Sequence, residues 1–289
     1  MKKITVKAPA KINLSLDILG RRADGYHFLR TVMQAIDLCD TIHLSMTSDD
    51  IKIICAREDV PCDERNIAYK AAAAFFDQTQ AVQTGIRIQI DKIIPSQAGL
   101  GGGSADGAAV LVALNELYQT GLDTRKLQEI GALVGADVPF CISGGCALAE
   151  GIGEILSPIH AHPEYCLVIC KPEVGVSTAA AYKKFDEIGT ICPPMTDSLI
   201  ASLIAGDMKE AALYMSNAFE QLLNLPEVTE IETLLTKHGA LKAVMSGSGS
   251  AVFGIFDSPL KAEKCFLECK PQYPETYLCH PYNKGATVL

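Results

Sequence analysis

Four glycines fall within five residues in Pro95-Ser-Gln-Ala-Gly-Leu-Gly-Gly-Gly-Ser104, just ahead of a run dominated by alanine and aliphatic side chains. A helix or strand interior does not carry glycine at that density, because each one gives up the most backbone entropy on ordering. A loop is therefore predicted over Asp91–Gly103, and the stripe of Ala108, Leu111, Val112 and Leu114 predicts a helix over Ser104–Tyr118. Gly99, Gly101, Gly102 and Gly103 leave backbone N–H groups uncovered at the positive end of that helix. Such a nest binds anions and is best matched to phosphate.

The familiar phosphate loops do not fit. No glycine in the chain is followed by lysine, so the G-K-[ST] of a Walker A loop is absent. The dinucleotide fingerprint G-x-G-x-x-G fails because Ser104 stands where its last glycine belongs. The H-R-D and D-F-G signatures of protein kinases are also missing.

The rest of the chain narrows the class. Of 289 residues 48% are hydrophobic, enough for a core without disulfide or metal staples. A net charge of −9 argues against a nucleic-acid partner, since phosphate contacts along a polymer need a basic face. The charge is uneven: Lys2, Lys3, Lys7, Lys11, Arg21, Arg22 and Arg30 meet only Asp17 and Asp24 near the start, so a positive edge for a polyanion is expected there. No apolar segment after Lys2 and Lys3 makes a signal peptide, and the longest apolar run, Ala108–Leu114, is too short to span a membrane. A cytoplasmic protein with no membrane partner is expected. Eleven cysteines, an odd number with no C-x-x-C, are read as free thiols.

Alternation of apolar and polar residues predicts strands over Val6–Ile18, Thr41–Met46, Ile51–Cys55 and Ile86–Ile90, with Tyr26–Leu38 extended after a turn at Gly20–Gly25. Helices are expected at Asn66–Gln80, Asp123–Val134, Ser177–Phe185 with Ser177 as cap, Glu227–His238 and Pro259–Cys269. Broken helical segments are expected over Asp197–Leu223, a buried strand at Tyr165–Cys170, and a strand pair at Leu241–Met245 and Ala251–Phe256. Pro158, His160, His162 and Pro163 crowd Ile155–Pro163, and the boundary between two domains, 1–160 and 161–289, is placed there. Strands and helices mix without regular βαβ alternation, so the fold class is α+β. Between Asp186 and Pro226 no motif stands out.

With Pro95, Gly99, Leu100, Gly101, Gly102 and Gly103 in place, the loop resembles the P-x-x-x-G-L-G-S/G-S/G-x-A signature of the GHMP kinase superfamily. Two further blocks of that superfamily stand in the same order: Ala8-Pro-Ala-Lys11-Ile-Asn13-Leu14 and Ser246-Gly-Ser-Gly-Ser250-Ala-Val-Phe253. Arg21-x-Ala-Asp-Gly-Tyr26-His27 and Gly135-Ala-Asp137-Val-Pro-Phe140 are similar to the branch that phosphorylates a cytidine diphosphate polyol of the non-mevalonate isoprenoid pathway. Gly107 departs from that branch, which more often has alanine there.

The resemblance implies a two-domain α+β architecture, with an N-terminal ATP-binding domain like the second domain of ribosomal protein S5, a C-terminal ferredoxin-like domain, and the site in the cleft between them. It implies ATP as donor, Mg²⁺ as cofactor and small molecules as partners, with a monomer or weak homodimer expected. Pro95 and the Gly99–Ser104 loop would cradle the ATP phosphates, Ser104 would approach the Mg²⁺, and Asn66 would lie near the adenine. Asp137 would be the general base on the acceptor hydroxyl, kept ionised by Lys11; a weak base suffices where the proton leaves late. Tyr26 and Tyr182 would stack on the cytosine from opposite faces, His27 would hydrogen-bond it, and Asn13 and Thr178 would touch the sugar or polyol. The Ser246–Ser250 turn would close over acceptor and phosphates. Two other readings stay open at this point: a GHMP kinase for homoserine, mevalonate or a sugar, and a catalytically silent sensor that kept the fold.

Overall fold

The alternating run at the start of the chain extends beyond Val6–Ile18 at both ends: a computed structural model gives β1 as Lys3–Arg21, paired antiparallel along its length with β2, His27–Thr47. The structure describes residues 2–48, 50–79, 81–82, 85–160, 164–189 and 195–289. Gln80, His162, Pro163 and Cys192, which figure in the expectations above, lie outside the described residues.

After the hairpin come β3 (Lys52–Cys55), α1 (Ile67–Thr79), β4 (Gly85–Asp91), α2 (Gly102–Tyr118), α3 (Thr124–Val134), α4 (Val138–Ser143), β5 (Cys146–Glu150) and β6 (Ile155–Pro158). The second half holds β7 (Cys166–Lys171), α5 (Thr178–Ile188), α6 (Thr196–Ala205), α7 (Met208–Leu213), β8 (Ser216–Asn217), α8 (Ala218–Leu223) and α9 (Pro226–Lys237). It closes with β9 (Lys242–Met245), β10 (Val252–Phe256), α10 (Pro259–Cys269), β11 (Glu275–Cys279) and β12 (Thr287–Val288). The fold is α+β, as expected.

The first sheet runs β12-β1-β2-β4-β3, with β5 and β6 attached to β2 and with β8 parallel to β1. The second sheet, β11-β7-β10-β9, is antiparallel throughout. Its chain order, strand, helices, two strands, helix, strand, is the split pattern of a ferredoxin-like unit. Helices α1 and α2 cover the first sheet, burying Phe75, Leu111 and Leu114 in one core with Val6, Ile12 and Leu14 of β1. Small residues on both helices let them lie close. A Cβ at Gly107 would come within 2.8 Å of Ile67 Cγ2, which accounts for glycine where alanine is more usual.

Two local expectations change. The helix after the glycine loop starts at Gly102 rather than Ser104, so two of the glycines belong to its first turn and Gly101, in left-handed conformation, takes the N-cap position. Ser177 occupies the N-cap position of α5 but its side chain makes no capping bond. The stretch Ile155–Pro163 opens with β6, a strand paired to β5, so the chain stays in the first sheet as far as Pro158. The ten described cysteines are free thiols, and among the described residues no helix is long and apolar enough to cross a membrane.

Candidate active site

The hairpin carries its polar residues at irregularities. Register slips between Pro9 and Lys11 and again between Asn13 and Ser15. Bulges re-aim the side chains beside them, and proline, with no N–H to lose, suits such a place. Lys11 and Asn13, two apart on one strand, share a face. The Lys11 ammonium donates to Asn13 Oδ1 at 2.7 Å, and Asn13 Nδ2 donates to Thr31 Oγ1 at 2.8 Å. Lys11 is only 4% exposed, so its charge is met by these partners rather than by water.

Its ion-pair partner is Asp137, with a carboxylate oxygen 3.3 Å from the ammonium. Asp137 stands at the N-cap of α4, where an aspartate ordinarily accepts from the helix's first amides. Here it makes no such bond. The carboxylate is left facing Lys11 and the cavity.

Opposite lies the glycine loop. Lys11 N–H donates to the Leu100 carbonyl at 3.0 Å, tying the loop to β1. The Lys11 side chain then runs over Gly101: φ there is +68°, and a Cβ would sit 2.9 Å from Lys11 Cγ. No side chain caps α2, so the amides of its first turn are free to meet an anion. The C-terminal turn presses on the same loop. A Cβ at Gly99, whose φ is +73°, would overlap the Ser246 carbonyl oxygen at 1.9 Å, while Ser246 Oγ donates to the Gly99 carbonyl at 2.9 Å. The buried Asn217 holds that turn through Nδ2, which donates to the Met245 and Gly247 carbonyls at 2.6 and 2.8 Å.

On the far side, His27 is buried against α5: its ring stacks on Tyr182 with centroids 4.6 Å apart, and its Nε2 lies 2.8 Å from Asp186 Oδ1. Tyr182 is also met edge-on by Phe219 at 5.0 Å. One face of Tyr182, expected to hold a base, thus carries His27 in this structure. Tyr26 is open, at 61% exposure. Thr178 Oγ1 lies 2.9 Å from Ser248 Oγ of the C-terminal turn. Asn66 is engaged as a cap: Oδ1 accepts from Ala68 N–H at 2.8 Å and Nδ2 donates to the Pro61 carbonyl at 2.7 Å.

Every residue assigned above to ATP, acceptor or catalysis lines one cavity of about 1020 Å³. The same cavity reaches a cluster that sequence reasoning missed. Lys92 donates to Asp40 at 2.6 Å and to Asp106 at 2.7 Å, and all three side chains are almost fully buried. The ammonium lies behind the loop, 3.0 Å from where a Cβ on Gly102 would be. Asp106 Oδ1 is buried without a hydrogen-bond partner among the described residues. Burial pushes the Asp106 carboxyl up despite Lys92, and the two carboxylates raise Lys92 against its own burial. These directions favour a charged Lys92 and a neutral Asp106.

The expected positive edge is largely neutralised nearby. Arg22 pairs with Asp24 at 2.9 Å, Arg30 with Asp197 at 2.5 Å and Arg21 with Asp186 at 3.4 Å. For a metal, no group of three or more His, Cys, Asp or Glu among the described residues is placed to hold one. Ser104, at the third position of α2, lines the cavity. Mg²⁺ keeps several waters and usually takes one or two protein ligands beside substrate phosphates. The donor set therefore fits an ion carried in on a nucleotide and not a resident all-protein site.

A family model described as the GHMP kinases N terminal domain matches residues 66–145, and one described as GHMP kinases C terminal matches 199–274. The chain is 42% identical over 277 residues to a 4-diphosphocytidyl-2-C-methyl-D-erythritol kinase of Clostridium botulinum (strain Eklund 17B / Type B), covering 95% of this chain and 99% of that protein. The corresponding protein of Clostridium beijerinckii is 42% identical over 275 residues, covering 94% and 98%. A crystal structure of 4-(cytidine 5'-diphospho)-2C-methyl-D-erythritol kinase superposes with a TM-score of 0.81 at 31% identity, covering 96% of this chain and 98% of that one. A homoserine kinase from Cytophaga hutchinsonii superposes with a TM-score of 0.80 at 21% identity, covering 100% and 98%, which is a likeness of fold.

Proposed function

The chain belongs to the GHMP kinase family, and from that premise we propose that it transfers the γ-phosphoryl group of ATP to the 2-hydroxyl of 4-diphosphocytidyl-2-C-methyl-D-erythritol, a step in making isoprenoid precursors. The observation that carries the reading is the Lys11–Asp137 pair, 3.3 Å apart, sharing one cavity with the uncapped N-terminus of α2. One end of the cavity is shaped for phosphates and the other, around Tyr26 and His27, for an aromatic base.

The chemistry asks little of covalent catalysis and much of positioning. The first-turn amides of α2 hold the phosphates in line with the acceptor. The acceptor oxygen bonds to the γ-phosphorus, the bond to the bridging oxygen breaks, and ADP leaves with that electron pair. Asp137 takes the hydroxyl proton, and Lys11 offsets the charge on the transferring group while its bond to Asn13 fixes where it points. Ser104 would help hold a Mg²⁺ ion brought in on the nucleotide phosphates, and that ion would supply further charge neutralisation. Asn13 and Thr178 meet the sugar or polyol, and Tyr26 covers one face of the cytosine.

An acceptor panel tests the reading. ADP release with magnesium and ATP is expected with the diphosphocytidyl acceptor and not with homoserine or mevalonate. Turnover of either of those without the cytidine compound would move the chain to another branch of the family, and no ADP from any acceptor would make it a sensor.

A further inference from the structure

One face of α5 is built around His27. Tyr182, Phe185 and Asp186 stand at i, i+3 and i+4 and so project to the same side of the helix. Tyr182 stacks on the imidazole within 13° of parallel, Phe185 meets it edge-on at 5.6 Å, and Asp186 Oδ1 lies 2.8 Å from Nε2. The ring is thereby held in tilt, in height and in rotation. Asp186 Oδ2 is in turn held by Arg21 Nη1 at 3.4 Å. The hydrogen bond to His27, reinforced by the nearby Arg21 charge, keeps the Asp186 carboxyl below the usual carboxylate range.

An ionised carboxylate only accepts, so the nitrogen facing it must carry the proton. A neutral imidazole has one N–H, and with that on Nε2 its Nδ1 is an acceptor. Nδ1 has no hydrogen-bond partner among the described residues, and His27, Tyr26 and Asp186 line the same cavity. We propose that Asp186 is a positioning residue that sets base specificity: by keeping the His27 proton on Nε2 it presents Nδ1 to the exocyclic amino group of cytosine and rejects the carbonyl that uracil carries at that place. The inference rests on the acceptor assigned above. A uracil carbonyl would face the Nδ1 lone pair with no proton between them, leaving two desolvated acceptors unpaired.

Asp186→Asn tests it, because an amide can accept from Nε2–H or donate to a bare Nε2, and so admits both tautomers. With the diphosphocytidyl acceptor and its uracil counterpart, the unaltered enzyme is expected to favour cytosine about a hundredfold or more in kcat/KM. Asp186→Asn is expected to cut that ratio about tenfold through acceptor KM, with ATP KM unchanged. Asp186→Glu, which keeps an acceptor-only group, restores most of the preference. A purely structural role would weaken both acceptors alike, so an unchanged ratio in Asp186→Asn overturns the proposal while leaving the acceptor assignment intact. Nitrogen-15 NMR of the unaltered enzyme gives a readout independent of the variant: a His27 proton on Nε2 with Nδ1 bare supports the proposal, and a proton on Nδ1, alone or beside one on Nε2, overturns it. If the unaltered enzyme phosphorylates neither base form, the acceptor assignment fails and this inference with it.

Discussion

Gly99 and Gly103 belong to the same run but do different work. Gly99 has φ +73° with the Ser246 carbonyl oxygen where a Cβ would go, whereas a Cβ at Gly103 meets only the Ile67 side chain, at 3.5 Å from Cγ1 and 4.0 Å from Cβ, ordinary contacts. Gly99→Ala is therefore expected to cost at least about 2 kcal/mol from backbone strain alone, and more from separating the loop from the C-terminal turn. Gly103→Ala sits in the first turn of a helix and should stay within about 1 kcal/mol of the parent, since alanine is the better helix former. Thermal unfolding of the two variants checks the contrast; equal losses would mean that the run is needed only for its flexibility. Asn66 makes a smaller case at this scale. Its side chain caps α1, so Asn66→Ala should lose about 1 kcal/mol of stability whatever its effect on ATP.

At the scale of elements, the cluster of Asp40 on β2, Lys92 after β4 and Asp106 in α2 ties three segments together beneath the phosphate loop. Lys92→Met would leave two buried carboxyl groups without their cation and should destabilise the protein by about 3–5 kcal/mol in urea unfolding. Asp106 adds a pH dependence of definite sign. Its folded pKa is raised from an ordinary aspartate value of 3.8, so its contribution is fully present below that value and is lost as pH rises towards the folded value. The stability of the parent relative to Asp106→Asn should fall from pH 4 upwards, by at most about 1.4 kcal/mol per pH unit. A difference that does not vary with pH would contradict the protonated state. This cluster also marks the limit of what the sequence makes legible. The glycine loop is exposed by its own residues, and the Lys11 block, the Asp137 block and the C-terminal turn, each one contiguous run, are legible through their resemblance to family motifs. Asp40, Lys92 and Asp106 come from three elements and share no spacing. The one local signal is Asp106 itself, a single carboxylate among the small buried residues Ala105–Ala109, where a charge must find a partner. Likewise α4, at six residues, is too short for a helical period to repeat, and Asp186 has meaning only once Tyr182 is known to face His27.

Across the whole molecule the two halves of the chain are stitched together at β1. The short strands β8 and β12 both pair with it from the second half, and the tail adds hydrogen bonds from Ala286 N–H to the Cys141 carbonyl at 2.8 Å and from Leu289 N–H to the Thr5 carbonyl at 2.9 Å. A division near residue 160 follows the order of the motifs, but the first sheet draws strands from both sides of it. Removing residues 285–289 should lower stability by roughly 2–3 kcal/mol, the net worth of the few backbone hydrogen bonds lost, and thermal unfolding of the shortened chain measures it. This closure brings the glycine loop, β1 and the C-terminal turn round one cavity, with Lys11 and Asp137 facing it. The claim that this pair transfers phosphate is tested most directly by Asp137→Asn, with turnover and the binding of ATP and acceptor measured separately. A loss of turnover of about a hundredfold or more with both ligands still bound is predicted; turnover close to that of the parent would contradict it.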